Sequence, residues 1–218
     1  MQLPADEPEC RPWNPITVGE LWTRVLEGRD TSIDRPWVVA VDGRGGSGKS
    51  FLADRLVAAA PFDAEVVHTD DVAWHHSFFG WDDLLAEEIL APARERKAVR
   101  FVPPAWRERG RVGAITVSSS CSLLVVEGSG SYRRRLEHLY DVGIYVQADA
   151  DLALRRLLAR DGDTPADRAF IAEWDREEQA VMAAGRPWAR ADVVLAGTRP
   201  EGLSVPSDLL VVGSPAQS

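Results

Sequence analysis

Cysteine and long apolar runs are scarce in this sequence. Its 218 residues include only Cys10 and Cys121, which argues against a disulfide framework and makes the reducing cytoplasm the expected location. The N-terminus has neither the basic start nor the apolar core of a secretion signal. No stretch reaches the roughly 18 apolar residues that a membrane-spanning helix needs. We therefore expect no membrane insertion.

Basic residues are also in the minority. The chain carries 25 Lys and Arg against 34 Asp and Glu, a formal net charge of −9. A general affinity for nucleic acid polymers or anionic membranes needs a basic face, which this balance argues against. Any phosphate must therefore be bound locally, in a small-molecule site. The sequence leaves open whether the chain forms a homo-oligomer.

Length and composition predict one folded domain. A hydrophobic fraction of 45% and a charged fraction of 27% are ordinary for globular proteins, and 218 residues fit one core. We expect a flexible, proline-rich leader over residues 1–15, a single domain over residues 16–213 and a frayed tail over residues 214–218. A capping box of Thr17 and Glu20 predicts that a helix opens the domain.

From Trp37 onward, short apolar runs alternate with helical patterns. This alternation is typical of a parallel sheet covered by helices, and it predicts an α/β fold with three layers and a mostly parallel central sheet. The predicted strands are residues 38–41, 66–68, 99–102, 123–126, 143–146 and 193–195, with an extra edge strand at 115–117 and a final strand at 209–212. The predicted helices are residues 50–59, 81–96, 132–139, 152–160 and 166–183.

Residues 43–50 carry the strongest functional signal. They read Gly-Arg-Gly-Gly-Ser-Gly-Lys-Ser, which matches the phosphate-binding pattern G-x-x-x-x-G-K-[ST] between a predicted strand and a predicted helix. Glycines let backbone N–H groups turn inward around a polyphosphate, and the helix N-terminus attracts the anion. A chance match in a glycine-rich turn is the alternative, which the flanking strand and helix argue against. The predicted nucleotide-binding residues are Gly43, Gly45, Gly46, Ser47, Gly48, Lys49 and Ser50.

Two of these residues have distinct predicted roles. Lys49 places a positive charge toward the β and γ phosphates, where it would also assist catalysis, and the Ser50 hydroxyl is a candidate Mg²⁺ ligand. ATP and Mg²⁺ are therefore the expected cofactors.

Carboxylates follow two of the predicted strands. Asp70 and Asp71 come directly after residues 66–68, and Glu127 follows the apolar run 123–126. Ligands bind at the carboxyl edge of open α/β sheets, so we expect these acids near the phosphate. Asp70 is the candidate base that accepts a proton from an alcohol, and Glu127 is a candidate for the Mg²⁺ shell. Helix capping for Asp70 and Asp71, and a solvent-facing position for Glu127, are the alternatives.

His68, His75 and His76 could suggest a metal site. Two adjacent histidines point in different directions, and no cysteine cluster accompanies them, so a zinc site is disfavoured. These histidines are expected to line a pocket or to lie on a solvated loop.

Together, the phosphate loop, Asp70, Glu127-Gly128 and residues 186–194 resemble the uridine kinase-like branch of P-loop small-molecule kinases. The resemblance spans roughly residues 37–197 and implies a three-layer P-loop NTPase fold. It also implies a phosphotransferase that moves the γ-phosphate of ATP to the hydroxyl of a small molecule, with an aspartate at the Asp70 position as the base.

The same resemblance implies a lid near residues 149–165 that closes over the phosphates. In this chain the lid helix would carry Arg155, Arg156 and Arg160. Residues at these spacings cannot all face one way on a helix, so one or two are expected to reach the phosphates. Arg156 is the candidate catalytic arginine and Arg160 a candidate nucleotide ligand, while a solvated basic face is the alternative.

The acceptor is less defined. By the same resemblance, Asp71, Trp74, Trp106 and Arg107 are the candidate acceptor-binding residues, although tryptophans are also frequent in cores. Arg107 replaces the acid of the family's Pro-x-Tyr-Asp segment, which argues against uridine itself. A nucleoside, a vitamin-like alcohol and another hydroxylated metabolite remain open, and a nucleoside monophosphate would use Arg107, Arg109 and Arg111.

Two other functional classes also use a phosphate-binding loop. A regulatory GTPase needs a guanine-reading Asn-Lys-x-Asp segment, which the sequence lacks. A nucleotide-binding sensor or slow ATPase without an acceptor substrate is the stronger alternative. The presence of both Asp70 and Glu127 favours the kinase, because a sensor needs no alcohol base.

Overall fold

Nine strands and eight α-helices form the part of the chain that a computed structural model describes, residues 1–4, 6–30, 33–61 and 63–213. The strands are β1 Trp13–Ile16, β2 Trp37–Gly43, β3 Ala64–His68, β4 Val99–Phe101, β5 Ile115–Val117, β6 Leu123–Glu127, β7 Val142–Gln147, β8 Val193–Ala196 and β9 Leu210–Gly213. The helices are α1 Val18–Leu26, α2 Lys49–Ala58, α3 Thr69–Ala73, α4 Asp82–Leu85, α5 Ala91–Arg94, α6 Pro104–Glu108, α7 Ala150–Asp161 and α8 Pro165–Gly185. A π-helical turn, Ala86–Leu90, joins α4 to α5.

The main sheet is mostly parallel. Its strand order is β1-β9-β8-β7-β2-β6-β3, with β8, β7, β2, β6 and β3 parallel to one another. Strand β9 pairs antiparallel with β8 and with β1. The predicted α/β class is confirmed, and the carboxyl ends of β2, β3 and β6 meet at one edge of the sheet. In the described residues, every helix is too short or too polar to cross a bilayer.

Alternating side chains of the central strands fill two cores. Val39 and Val125 face α1 and α2, whereas Val38, Leu124 and Val126 face the layer that contains α4, the π-helical turn and α6. Successive residues of a strand point to opposite faces of a sheet. A strand covered on both faces is therefore apolar throughout, which explains the continuous apolar runs of β2 and β6.

One predicted pair of strands belongs elsewhere. Strands β4 and β5 form a separate two-stranded antiparallel sheet, in which Val99 pairs with Val117. The expected edge strand at residues 115–117 is thus outside the main sheet. The apolar residues of these two strands pack on one core, so they are buried without belonging to the main sheet.

The predicted helix over residues 132–139 is wrong. Only a 3₁₀ turn, Glu137–Leu139, is present there. The backbone N–H groups of Gly130 and Tyr132 donate to the buried carboxylate of Asp42, at 2.8 and 2.9 Å. Because this side chain fixes the start of the segment, the backbone follows a series of turns instead of a helix.

The structure also corrects the expectation of a loose leader over residues 1–15. Strand β1 pairs with β9, and Cys10 N donates to the buried amide of Gln147 at 2.9 Å. Gln2 N donates to Asp149 at 2.8 Å. A buried amide such as Gln147 needs hydrogen-bond partners, and the leader provides them. The predicted frayed tail, residues 214–218, lies outside the described residues.

Replacing Leu124 by alanine tests the central strand. Leu124 is 0% exposed in β6, between β2 and β3, so Leu124→Ala should lower the free energy of unfolding by about 2–5 kcal/mol. Val112→Ala is the control, because Val112 is 95% exposed and its loss should change stability by less than about 0.5 kcal/mol. Urea unfolding of both variants measures the difference, and equal stabilities would contradict the assigned core.

Candidate active site

Residues 43–50, the phosphate loop, join β2 to α2 through left-handed backbone. Gly46 has a φ of 73° and Gly48 a φ of 99°. A Cβ on Gly46 would lie 2.2 Å from the carbonyl oxygen of Ala153 in α7, so this position requires glycine for space as well as for conformation. The loop therefore packs directly beneath the helix that was predicted to be the lid.

The ammonium group of Lys49 is held inside the loop. Lys49 is 8% exposed, and its Nζ donates to the carbonyl oxygen of Arg44 at 2.9 Å and to Ser129 Oγ at 3.2 Å. Ser129 Oγ in turn donates to Gly43 O at 3.2 Å. These contacts fix a positive charge at the cleft, where a phosphate would be attracted to it.

Three polar side chains meet at the end of β6. Ser50 Oγ lies 3.1 Å from Glu127 Oε1, and His68 Nδ1 lies 2.5 Å from the same oxygen. Burial opposes ionisation of Glu127, but the hydrogen bond from His68 and the charge of Lys49 lower its pKa overall. The same hydrogen bond raises the pKa of His68. Glu127 is therefore a carboxylate with its position fixed from two sides.

Ser50 and Glu127 fit a Mg²⁺ ion by their chemistry. The Ser50 hydroxyl and the Glu127 carboxylate lie within hydrogen-bonding distance of each other and line one cleft. Both are oxygen ligands of the kind that Mg²⁺ prefers. Mg²⁺ in nucleotide sites is held by one or two protein groups together with phosphate oxygens and water. In the described ranges there is no cluster of three or more His, Cys, Asp or Glu side chains that could hold a metal by itself.

Asp70 lies in the first turn of the short helix α3 and lines the same cleft as Lys49 and Ser50. Its side chain is accessible from the cleft, yet the surrounding walls limit its hydration and raise its pKa. The charge of Lys49 partly offsets this effect, and Glu127 adds to it. An acid with an elevated pKa beside a phosphate site is suited to accept a proton from an alcohol.

Asp71, Trp106 and Arg107 are not brought into this cleft. Trp106 is 4% exposed in the core, and its indole N–H donates to Asp71 O at 2.9 Å. The Asp71 carboxylate pairs with Arg111 at 2.5 Å, and Arg111 covers the Trp106 ring at 3.6 Å. Arg107 is exposed to solvent. Trp106 packs with the apolar residues of β4 and β5. Asp71, Trp106 and Arg107 therefore lie outside the cleft, and their role in binding the acceptor stays a prediction.

A different set of aromatic residues lines the cleft. Phe78 contacts Phe170 and Trp174 of α8, with ring centroids 5.7 and 5.1 Å apart. Trp74, which the sequence did predict, also lines the cleft. We call Trp74, Phe78, Phe170 and Trp174 the aromatic wall. Phe170 is 56% exposed, so the wall presents apolar surface to the open cleft.

The predicted lid arginines have different positions on α7. Arg156 Nη1 donates to Gly46 O at 3.2 Å and to Gly197 O at 2.9 Å, so it braces the phosphate loop. Arg160 lines the cleft and pairs with Asp161 at 2.6 Å. That bond, followed by the charges of Asp70 and Glu127, raises the pKa of Arg160. Arg155 is exposed and lies outside the residues that line the cleft.

Sequence reasoning missed two buried acids that hold the loop. Asp42 accepts hydrogen bonds from the backbone N–H groups of Gly43, Gly130 and Tyr132, and Glu178 of α8 accepts one from Gly45 N at 2.8 Å. The position of Asp42, directly between an apolar strand and the glycines, was an available signal. Nothing in the local sequence marks Glu178, because its contact joins residues far apart in the chain.

Comparison with known proteins agrees with this geometry. The chain is 26% identical to the uridine kinase of Saccharomyces cerevisiae over 171 residues, which are 68% of this chain and 34% of that protein. It therefore spans about a third of the length of the curated relative that it matches. No family model matches the chain.

Solved structures share the fold. D-glycerate 3-kinase from Cryptococcus neoformans var. grubii superposes with a TM-score of 0.59 at 14% identity, over 82% of this chain and 93% of that chain. A candidate fructose transport system kinase from Silicibacter sp. TM1040 gives a TM-score of 0.56 at 23% identity, over 81% and 95% of the two chains.

The resemblance to uridine kinase-like P-loop kinases is confirmed. The three-layer P-loop fold that the sequence predicted is confirmed with it. The comparisons also agree with the predicted enzyme class, a P-loop small-molecule kinase. The acceptor differs among the names of these relatives, so the comparisons leave it open.

A single methyl group tests the packing of the phosphate loop. Gly46→Ala should abolish detectable ATP binding, because its Cβ would collide with Ala153 O in a backbone conformation with positive φ. Gly110→Ala is the matched control, since Gly110 has a φ of 69° and no atom within 4 Å of the added Cβ. Isothermal titration calorimetry with ATP and Mg²⁺ compares them, and unimpaired binding by Gly46→Ala would contradict the loop geometry.

Proposed function

We propose that the chain transfers the γ-phosphate of ATP to the hydroxyl of a small molecule, with a nucleoside or a nucleoside-like hydroxylated metabolite as the acceptor. One observation carries the proposal: Lys49, Ser50, Glu127 and Asp70 line a single cleft of about 800 Å³. This volume is within the range of sites that bind small molecules. A phosphate-binding loop and an alcohol base in one cleft are the two parts that a kinase requires.

In this mechanism the chain's residues align the reactants and offset charge. The phosphate loop holds the triphosphate, and Lys49 and Arg160 lie where they can neutralise charge on the transferring group. Asp70 orients the acceptor hydroxyl and takes its proton as the oxygen bonds to the γ-phosphorus and the bond to the β–γ bridging oxygen breaks. The products are ADP and a phosphate monoester. Arg156 supports the loop through Gly46 O and Gly197 O.

Mg²⁺ would be held by Ser50 and by Glu127, and it would neutralise charge on the phosphate oxygens. His68 keeps the Glu127 carboxylate in place through its 2.5 Å contact. We propose the cytoplasm as the location, where Cys10 and Cys121 remain the free thiols that they are in the structure.

The aromatic wall supports a planar acceptor. Trp74, Phe78, Phe170 and Trp174 provide ring faces and edges in the same cleft as Asp70. Stacking against aromatic side chains favours a flat ring over a compact polyol or a small acid. For this reason the aromatic ring of uridine is a better guide to the acceptor class than fructose or glycerate, the compounds in the names of the structural relatives.

A screen with purified chain, ATP and Mg²⁺ tests the proposed function. Nucleosides, vitamin-like alcohols and hydroxylated aromatic metabolites are incubated separately, and products are detected by a mass increase of one phosphoryl group. A phosphorylated nucleoside or related compound is the expected result. Release of ADP without any phosphorylated acceptor would instead favour the sensor or slow ATPase.

Removing the base should separate binding from turnover. Asp70→Asn keeps the shape of the side chain but cannot accept the proton, so we expect kcat to fall by about 10²–10⁴-fold with little change in ATP affinity. Lys49→Ala is the contrasting variant, which should weaken both ATP binding and turnover. Steady-state kinetics and calorimetry measure the two effects, and wild-type turnover by Asp70→Asn would remove Asp70 from its proposed role.

The aromatic wall makes a separate prediction about the acceptor. Trp174→Ala should raise the KM for the acceptor found in the screen by about tenfold or more, and the KM for ATP should change little. Glu173→Ala is the matched control, because Glu173 is an exposed neighbour on α8 that does not line the cleft. Equal acceptor KM values for the two variants would show that the wall does not bind the acceptor.

A further inference from the structure

A second cavity, of about 440 Å³, lies beside the phosphate loop. Its walls are α7, α8 and the N-terminal residues Gln2, Leu3 and Pro4, and Arg44 and Gly45 contribute to it from the phosphate loop. Gly45, Leu157 and Ile171 line both this cavity and the main cleft, so the two spaces adjoin. Apart from Gly45, none of the predicted nucleotide- or acceptor-binding residues lines the second cavity.

Arg44 is the unusual residue of this cavity. It is 8% exposed, its Nε has no hydrogen-bond partner, and no carboxylate in the described part of the chain forms an ion pair with it. The Glu7 carboxylate attracts Arg44 by charge, while its hydrogen bond comes from Gln147 Nε2 at 2.9 Å. The guanidinium group therefore carries a positive charge at the cavity wall that no ion pair offsets in the described residues, and it would attract an anionic group of a ligand.

Acidic side chains line the cavity as well. Glu178 accepts the hydrogen bond from Gly45 N, which places its carboxylate beside the residue that follows Arg44. Asp175 lies one turn earlier on the same helix, and Asp151 lies in the first turn of α7. Arg168 also lines the cavity, but its guanidinium group pairs with Asp163 at 2.5 Å. The three acids favour a positively charged ligand group next to the anionic one.

The remaining wall is apolar. Leu154, Leu157 and Leu158 of α7 face the cavity together with Leu3 and Ile171. Leu154 is 45% exposed, although large apolar side chains on this protein are otherwise mostly covered. An apolar ligand group that covered Leu154 would remove this surface from water.

We propose that this cavity binds a small zwitterion with an apolar body, the chemistry of an α-amino acid with an aliphatic or aromatic side chain. Its carboxylate pairs with Arg44, its ammonium group interacts with Glu178 and Asp175, and its side chain packs against the leucines of α7. In an α-amino acid the two charges share one carbon, which suits a single cavity that Arg44, Glu178 and Asp175 all line. The site does not depend on the proposed kinase activity.

Three related probes test the ligand class without ATP. Leucine carries both charges, isocaproate lacks the ammonium group, and isoamylamine lacks the carboxylate. Isothermal titration calorimetry on the full chain should show saturable binding of leucine and at least about tenfold weaker binding of the other two, because each loses one charged hydrogen bond. Phenylalanine is a further probe with an aromatic side chain. The proposal would be overturned if neither leucine nor phenylalanine bound, or if the three related probes bound equally.

Variants assign the binding to this cavity. Arg44→Gln and Leu154→Asp should each weaken leucine binding by about tenfold or more, the first by removing the guanidinium charge and the second by placing a charge on the apolar wall. Ala159→Asp is the control for Leu154→Asp, because Ala159 is exposed on the same helix and lines neither cavity. Unchanged leucine affinity in both Arg44→Gln and Leu154→Asp would overturn the site.

Lys49→Ala separates this cavity from the nucleotide cleft. Lys49 lines the main cleft and not the second cavity, so the variant should lose ATP affinity and keep leucine affinity. Loss of leucine binding in Lys49→Ala, with the variant folded by circular dichroism, would place the amino acid in the nucleotide cleft and overturn the proposal.

Discussion

The arrangement of the site depends on the hydrogen bonds that the buried carboxylate of Asp42 accepts. It accepts hydrogen bonds from Gly43 at the start of the phosphate loop and from Gly130 and Tyr132 in the segment that follows β6. Burial raises the pKa of Asp42, while these three N–H groups favour its charged form. One side chain thus fixes the distance between the phosphate loop and the strand end that carries Glu127.

The parallel sheet completes this arrangement. Strands β2, β6 and β3 lie side by side, and Val41 pairs with Glu127, which in turn pairs with His68. Groups that are far apart in sequence are therefore neighbours at one edge, where open α/β sheets bind ligands. A Cβ on Gly128 would lie 1.7 Å from Thr69 Oγ1, so glycine at this position lets the ends of β6 and β3 approach each other.

Local sequence determined much of the sheet and of the phosphate site, and much less of the acceptor side. The apolar runs of β2 and β6 and the pattern of residues 43–50 are local signals, and the structure agrees with them. Contacts between distant segments determine the burial of Trp106, the separate two-stranded sheet of β4 and β5, and the hydrogen bond from Gly45 to Glu178. Residue type and spacing do not report such contacts, which is why Phe170 and Trp174, the part of the aromatic wall on α8, were not predicted.

Phe170, Trp174 and Glu178 are spaced by four residues and share one side of α8. The first two residues belong to the aromatic wall, and the third bonds the backbone of the phosphate loop. A compound that shifts or steadies α8 by contacting the rings must also act on the loop one turn further along. Where such coupling occurs, thermodynamic linkage makes it reciprocal, so nucleotide and acceptor change each other's affinity by the same factor.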